Sequence, residues 1–269
     1  MVSTPILAAV AASALLSLVW PVATFVVCRR RMILAPRNIL IGAGVFLVFS
    51  LVLETATHVY LLKLNPATAA WLNGSPIIYA LYGALAAALF EEGGRYFGMR
   101  VLVRPTGHPG TEVAYGLGHG GIESILIGGL SMLSLFVTAI LLNAGMLDAV
   151  PAPDLEKIRA TLQHLSMMSP VVGSLERLSA LLIQIGLSLV VWRAVEERRM
   201  AWLALAIVFH AAVDFAAGLF QKGLISLVMS ESLVLVIGAV LAVIFLRALP
   251  GKAVDLTPTP SRSGVPQAP

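Results

Sequence analysis

Between Thr4 and Cys28 the chain reads TPILAAVAASALLSLVWPVATFVVC, a stretch that contains no charged side chain. The hydrocarbon core of a bilayer is about 30 Å thick, and about 20 apolar residues in a helix cross it. The stretch is therefore long enough to span a membrane, and it is too long to be the apolar core of a cleaved signal peptide. We expect it to form the first transmembrane helix.

The composition of the whole chain extends this prediction. Of the 269 residues, 58% are apolar and 12% are charged, whereas soluble domains are about 45–50% apolar and about 25% charged. A soluble fold of this size could not cover so much apolar surface with polar side chains. We therefore expect an all-α, multi-pass helix bundle in the cell (plasma or inner) membrane. Its seven candidate spans are Thr4–Cys28, Asn38–Leu62, Pro76–Val101, Val113–Asn143, Val171–Trp192, Met200–Gln221 and Leu224–Arg247.

The basic residues predict how this bundle is oriented. Most of the 18 Lys and Arg residues lie at or after the ends of the first, third, fifth and seventh spans. The positive-inside rule assigns those ends to the cytoplasm, so the N-terminus is predicted outside and the C-terminus in the cytoplasm. Because membrane topology explains the positive charge, we expect no nucleic-acid partner. The single cysteine, Cys28, excludes an intrachain disulfide and a cysteine-based metal site.

Two segments are predicted to lie outside the spans. Residues 1–249 form one transmembrane domain, and the polar, proline-rich residues 250–269 form a disordered cytoplasmic tail. Within the domain, residues 145–170 form an outer loop, in which Leu155, Ile158 and Leu162 share one helical face. This pattern predicts an amphipathic helix that lies on the outer leaflet or caps the bundle.

Ionisable side chains at membrane depth are the candidates for function, because each costs several kcal/mol unless it is paired. Most of them fall into three clusters, each on its own span. At about 1.5 Å of rise per residue, the clusters lie at a similar level in the cytoplasmic half. The clusters are Glu91-Glu92-Gly93-Gly94-Arg95, His119-Gly120-Gly121-Ile122-Glu123 and His210-Ala211-Ala212-Val213-Asp214.

Spacing within the clusters favours interaction between their members. Arg95 follows Glu92 by three residues and Glu91 by four, so it can hold one of the two carboxylates in a bidentate pair. In the other two clusters a carboxylate follows the histidine by four residues, where it can orient the imidazole or share a metal ion with it. Glycines beside the clusters would let the helices approach closely. They are Gly93, Gly94, Gly116, Gly118, Gly120 and Gly121.

Other polar residues are interpreted as structural or left unassigned. Glu54 and His58 also lie four residues apart, but they are near the outer end of the second span, where we expect a solvated or interfacial pair. Glu176 and Arg177 enter the fifth span close to the outer surface and are expected to face lipid headgroups. Glu231 lies deeper in the seventh span and has no partner suggested by sequence spacing.

In this order, the three clusters resemble the motifs of an intramembrane protease superfamily that includes the CAAX prenyl endopeptidases, bacteriocin-processing proteases and PrsW proteases. Glu-Glu-Gly-Gly-Arg-Tyr followed by Gly-His-Gly-Gly-Ile-Glu most resembles the YhfC family within that group. The resemblance implies that Glu91 is the general base that activates water and that Arg95 positions the Glu91–Glu92 pair. It also implies that Tyr115-x-x-x-His119 supplies the second motif and His210-x-x-x-Asp214 the third.

Two mechanisms agree with this resemblance. In the first, which we favour, Glu91 accepts a proton from water while His119 and His210 stabilise the tetrahedral oxyanion. Asp214 then orients the imidazole of His210. In the second, a bound zinc-like ion generates the attacking hydroxide. The candidate ligands of that ion are His119, Glu123, His210 and Asp214, with Glu92 as a further carboxylate.

The sequence thus predicts an intramembrane endopeptidase that hydrolyses a membrane-embedded or lipid-anchored peptide through a polar cavity open to the cytoplasm. Its partners would be the lipid bilayer and a membrane protein or peptide substrate, and its cofactor would be either none or zinc. The alternative is a proton- or ion-coupled transporter that uses the same buried carboxylates and histidines. The oligomeric state is left open by the sequence.

Overall fold

The fold is given by a computed structural model that describes residues 1–103, 110–147, 149–163, 165 and 167–248. These ranges are largely helical and contain no β-strand, which confirms the predicted all-α architecture. The helices within them are α1 Thr4–Arg29, α2 Pro36–Leu64, α3 Pro66–Asn73, α4 Pro76–Leu102, α5 Thr111–Asn143, α6 Ala152–Gln163, α7 Met168–Glu196, α8 Met200–Gln221 and α9 Leu227–Ala248.

Six of these helices, α1, α2, α5, α7, α8 and α9, are long and apolar enough to cross a membrane. Helix α4 carries the first charged cluster and reaches that length and apolarity together with the short α3, from which it is bent by 112°. With this pair counted as one span, the described residues form the seven predicted spans of a multi-pass membrane protein. The orientation of the termini stays a prediction.

Short stretches of π-helix occur within or at the end of three of the spans. They are Leu47–Glu54 and Tyr60–Leu64 in α2, Gly98–Leu102 in α4 and Ser124–Leu130 in α5. Such segments are frequent at functional sites, because the extra residue in the turn redirects the side chains. The last of them adjoins a charged cluster, since Glu123 directly precedes it, and the first contains the polar residues Ser50 and Glu54.

Helix α7 is the centre of the bundle. In the most apolar 18-residue segment of this helix, 61% of the residues are buried inside the protein. The corresponding share in the other five apolar spans is 17% to 28%. It packs against α1, α5, α8 and α9. A helix enclosed by protein rather than by lipid can hold polar side chains, provided that they find partners. Gln184 and Ser188 of α7 are two such buried side chains.

Glycines let α5 pass very close to its two neighbours. A Cβ at Gly118 would lie 1.9 Å from the carbonyl oxygen of Ile39 in α2, and one at Gly120 would lie 2.7 Å from the Cβ of Gln184 in α7. Small residues are what such close approach of membrane helices requires. The predicted close approach is confirmed at Gly94, Gly116, Gly118 and Gly120, whereas a Cβ at Gly121 would make an ordinary contact at 3.4 Å and one at Gly93 would meet nothing within 4 Å.

Helix α6 contacts α5 and the residues before α1. Its Leu162 is buried in a small apolar cluster with Val2 and Ala139. Whether this amphipathic helix lies on the outer leaflet or caps the bundle stays a prediction. The division into a domain of residues 1–249 and a tail stays a prediction, because residues 249–269 lie outside the described ranges.

Candidate active site

The three charged clusters meet at one point between α4, α5 and α8. The Oε2 atom of Glu91 lies 3.0 Å from Nε2 of His119 and 3.9 Å from Nε2 of His210. Ligand atoms of Glu91, His119 and Glu123 lie within 4.8 Å of one another. Helix packing therefore brings two imidazoles and two carboxylates together, as the sequence predicted; their chemical roles stay predictions.

These side chains lie inside the protein rather than against lipid. The exposed fractions are 7% for Glu91, 0% for His119 and 5% for His210. A buried charge is strongly destabilising unless it is paired and hydrogen-bonded. The fold must therefore supply partners for the cluster, and these come from α7 and α2 as well as from the three cluster helices.

Glu92 lies behind His210, away from the centre of the cluster. Its Oε1 is 2.7 Å from Nδ1 of His210, and its Oε2 is 3.2 Å from Nε of Arg95. A hydrogen bond from Nδ1 to this carboxylate leaves Nε2 of His210 directed toward Glu91. Metal-binding histidines are commonly oriented by a carboxylate in this way, so the geometry favours an orienting role for Glu92.

Arg95 contacts Glu92 through Nε alone, and the predicted bidentate pair is not formed. Its terminal nitrogens instead donate to α7, at 2.5 Å to the carbonyl oxygen of Gln184 and at 2.8 Å to Oγ of Ser188. A further bond joins Arg95 to the Gln184 side-chain oxygen. The guanidinium therefore links α4 to the central helix α7, because three oxygen atoms of α7 accept hydrogen bonds from its terminal nitrogens.

Gln184 is a member of the site that the sequence analysis missed. Its side-chain nitrogen donates to Oε2 of Glu91 at 3.1 Å and to Oε2 of Glu123 at 2.7 Å. A signal was present in the sequence, since Arg177, Gln184 and Ser188 recur at intervals of seven and four residues. These intervals place all three on one face of a helix, within an otherwise apolar span.

Arg177 faces the site, and the prediction that it faces lipid headgroups is wrong. Its Nη1 lies 3.6 Å from Oε1 of Glu123, and its side chain is 17% exposed. Its Nη2 also pairs with the neighbouring Glu176. The arginine thus balances part of the negative charge that Glu91 and Glu123 bring to the site.

Glu54 is also connected to the site, which corrects its interpretation as an interfacial residue. One of its oxygens accepts a hydrogen bond from Oγ of Ser50 at 3.0 Å, and the same hydroxyl lies 3.2 Å from Oε1 of Glu91. The other oxygen of Glu54 lies 3.1 Å from Nε2 of His58, whose Nδ1 is 2.8 Å from the hydroxyl of Tyr82. A line of polar contacts therefore runs along α2 to Glu91.

A cavity of about 320 Å³ borders the site. Four residues of the three charged clusters line it: Glu91, Glu123, His210 and Asp214. Asp214 lies 3.3 Å from Nε2 of His210 and is partly exposed to this cavity, so the predicted i, i+4 pair is formed.

The sequence predicted that this cavity opens to the cytoplasm, toward the arginine-rich end of the bundle, and where it opens stays a prediction. Its further polar lining comes from the opposite ends of α7, α8 and α9, which places Glu231 at the cavity as well. Those residues are Glu176, Arg177, Gln221, Ser230 and Glu231.

The donor set is suited to a zinc-like ion. The ligand atoms that lie within 4.8 Å of one another belong to Glu91, His119 and Glu123, an imidazole and two carboxylates of the kinds that bind zinc, and Nε2 of His210 lies beside them, 3.9 Å from Oε2 of Glu91. One feature of the site agrees with this: the carboxylate of Glu92 orients the imidazole of His210. The residues present therefore fit such an ion.

Two comparisons relate most of the chain to known proteins. The family model described as YhfC intramembrane metalloprotease matches residues 15–236. The chain is also 35% identical over 248 residues to the "Uncharacterized membrane protein YhfC" of Bacillus subtilis (strain 168). That alignment covers 90% of this chain and 96% of the Bacillus protein. No solved structure gives a significant match.

Proposed function

We propose a function for the chain on the premise that it belongs to the YhfC family of intramembrane metalloproteases. It is an endopeptidase that hydrolyses a membrane-embedded or lipid-anchored peptide with a zinc-like ion. The observation that supports this most directly is the meeting of Glu91, His119 and Glu123 within 4.8 Å, at membrane depth and beside a cavity. The metal-independent mechanism that the sequence favoured is set aside, because the family description and the donor set both agree with a metal.

In this proposal His119 and Glu123 would hold the ion, joined by His210, whose Nε2 lies 3.9 Å from Oε2 of Glu91. When bound, a zinc-like ion lowers the pKa of water and polarises the carbonyl of the peptide bond. Asp214, which the sequence included among the ligands, pairs with His210 from the cavity side.

Glu91 is the general base in this proposal. Its two oxygens are held by Ser50 and by Gln184, and Oε2 faces both imidazoles. A carboxylate fixed next to metal ligands can accept a proton from water without reorganising, which is a condition for efficient general-base catalysis.

The remaining polar residues keep these groups in place. Glu92 holds Nδ1 of His210, so Nε2 stays directed toward Glu91. Arg95 holds Glu92 and is itself held by α7. The result is a preorganised site whose side chains are oriented before a substrate enters.

The transporter alternative has less support. It gains nothing from the family description, and the cavity borders a buried layer formed by Arg95, Gln184 and Ser188. These side chains bond to one another and link α4 to α7. A transport pathway would have to separate them.

Analysis of new N-termini in membranes tests the proposal. Membranes from cells that express the wild-type chain, Glu91→Gln or His119→Ala are compared by mass spectrometry, and Glu156→Gln on the exposed face of α6 is the matched control. We expect cleavages within apolar segments in wild type and control, and none in the other two variants. Glu91→Gln should keep bound zinc, whereas His119→Ala should lose it.

Two results would contradict the proposal. The first is undiminished cleavage by Glu91→Gln. The second is ion-dependent uptake into liposomes that Glu91→Gln abolishes while no peptide product is found, which would favour the transporter. Removal of metal with a chelator, followed by recovery of cleavage on adding zinc, separates a metal-dependent reaction from glutamate chemistry alone.

A further inference from the structure

The cavity at the site extends along the bundle in one direction. It begins at His210, in the middle of α8, and reaches Gln221, the last residue of that helix. Eleven residues of helix correspond to about 16 Å. The first turns of α9 contribute Ser230 and Glu231, and the N-terminal part of α7 contributes Glu176. Polar side chains therefore line the path from the site to this end.

A second cavity adjoins the first at the same end. It has a volume of about 370 Å³ and shares Asp214, Ala217 and Gln221 with the first cavity. Its other walls come from α2 and α4, where His58 and Tyr82 face it. Each volume lies within the range of about 300–1,000 Å³ that is usual for ligand sites. The half of the bundle nearest this end thus has room for a peptide segment beside the site.

The opposite direction is closed in the part of the chain that the structure describes. On that side the site ends at Gln184, whose backbone oxygen accepts from Arg95, and Arg95 and Ser188 lie immediately beyond, buried and bonded to each other. Beyond them, Met99 and Ala194 belong to a buried apolar core. Water and a peptide would have to break these contacts to enter from that direction.

The arginines identify which membrane face the open end belongs to. The end of α1, the end of α7 and the turn before α8 lie at the closed end of the bundle. They carry Arg29, Arg30, Arg31, Arg193, Arg198 and Arg199. Clusters of arginine at span ends mark the cytoplasmic face. The open end is then the extracytoplasmic end, where α6 also lies.

We infer that water and substrate enter the site from the extracytoplasmic face. This inference rests on the proposed function and narrows its substrate class. The substrates are peptides whose cleaved bond lies in the outer half of the membrane, or peptides that are anchored in the outer leaflet. A peptide bond presented from the cytoplasmic leaflet would meet the closed end.

Labelling of single cysteines tests this inference on the full-length protein in its membrane. The native Cys28 is 1% exposed, so we expect no labelling of the wild-type chain, which serves as the background control. Ala180→Cys and Ala217→Cys place a thiol in the cavity, and Ala194→Cys places one in the closed core of the same helix as Ala180. Exposed reference thiols at Lys157→Cys in α6 and Glu197→Cys before α8 report the two membrane faces.

The reagent is a membrane-impermeant, quaternary-ammonium thiosulfonate, applied to intact cells and to inside-out vesicles. We expect both cavity thiols and Lys157→Cys to react in intact cells and not in vesicles. Glu197→Cys should react only in vesicles, and Ala194→Cys in neither.

Labelling of the cavity thiols in inside-out vesicles and not in intact cells, which is the pattern expected for Glu197→Cys, would overturn the inference. Reaction of Lys157→Cys in vesicles alone would equally overturn the assignment to the outer face. The labelling needs neither metal nor turnover, so its failure is distinguishable from failure of the proposed function. A chain labelled as expected that cleaves nothing would count against the protease and not against the route of access.

Discussion

Glu92 and His210 lie 118 residues apart in the chain, yet Oε1 of Glu92 lies 2.7 Å from Nδ1 of His210. The same carboxylate contacts Nε of Arg95 through its other oxygen, at 3.2 Å. One buried side chain therefore joins α4 to α8 and sets the direction in which Nε2 of His210 points. Such carboxylate–histidine pairs behind a metal ligand raise metal affinity.

Glu92→Ala should weaken zinc binding about 10- to 100-fold, which is the usual effect of removing such a partner. Glu92→Gln should have a smaller effect, because its side-chain oxygen can still accept the bond from Nδ1. Competition with a chromogenic chelator measures the affinity, with Glu156→Gln as the control. Equal zinc affinity in Glu92→Ala and wild type would show that His210 needs no such support.

Arg95→Ala should lower the free energy of unfolding by about 3–5 kcal/mol, because it leaves the carboxylate of Glu92 buried without its cation. The melting temperature in mild detergent measures this effect. Arg100→Ala is the matched control, since Arg100 is exposed on the same helix and should leave the melting temperature unchanged. Similar melting temperatures for the two variants would contradict the structural role given to Arg95.

Gly42→Ala should destabilise the bundle by about 1–3 kcal/mol, the usual cost of overpacking. Its Cβ would lie 2.1 Å from the carbonyl oxygen of Tyr115, and a backbone atom cannot rotate away. Gly44→Ala is the control on the same helix, since its Cβ would meet nothing within 4 Å. Thermal unfolding of both variants should separate them, with Gly44→Ala at or above wild type because alanine favours the helix.

Ser50→Ala should slow peptide cleavage about tenfold and leave the zinc content unchanged. The hydroxyl of Ser50 lies between Glu54 and Glu91, and its loss removes a hydrogen bond to a charged carboxylate, worth about 1.5 kcal/mol or more. Thr55→Ala, an exposed hydroxyl one turn further along α2, is the control. An unchanged rate in Ser50→Ala would remove Ser50 from the support of Glu91.

Much of the site was predictable because its charged members stand out against apolar spans. Glu91, His119 and His210 were identified, since an ionisable group in a membrane helix is costly enough to be rare. Ser50 and Gln184 were missed, because neutral polar residues occur in membrane helices without such a cost. Their partners are 41 and 93 residues away in the chain, so local spacing does not reveal them.

The amino-acid sequence by itself determined the class of the protein, its spans and the three charged clusters. Hydropathy and i, i+4 spacing act within a single helix, and they need no knowledge of the neighbours. Tertiary structure alone decided which nitrogen of His210 faces Glu91, which oxygens accept from the guanidinium of Arg95 and which side chains line the cavity beside the site. Those features depend on how the helices rotate and pack against α7, and packing is a property of all the helices together.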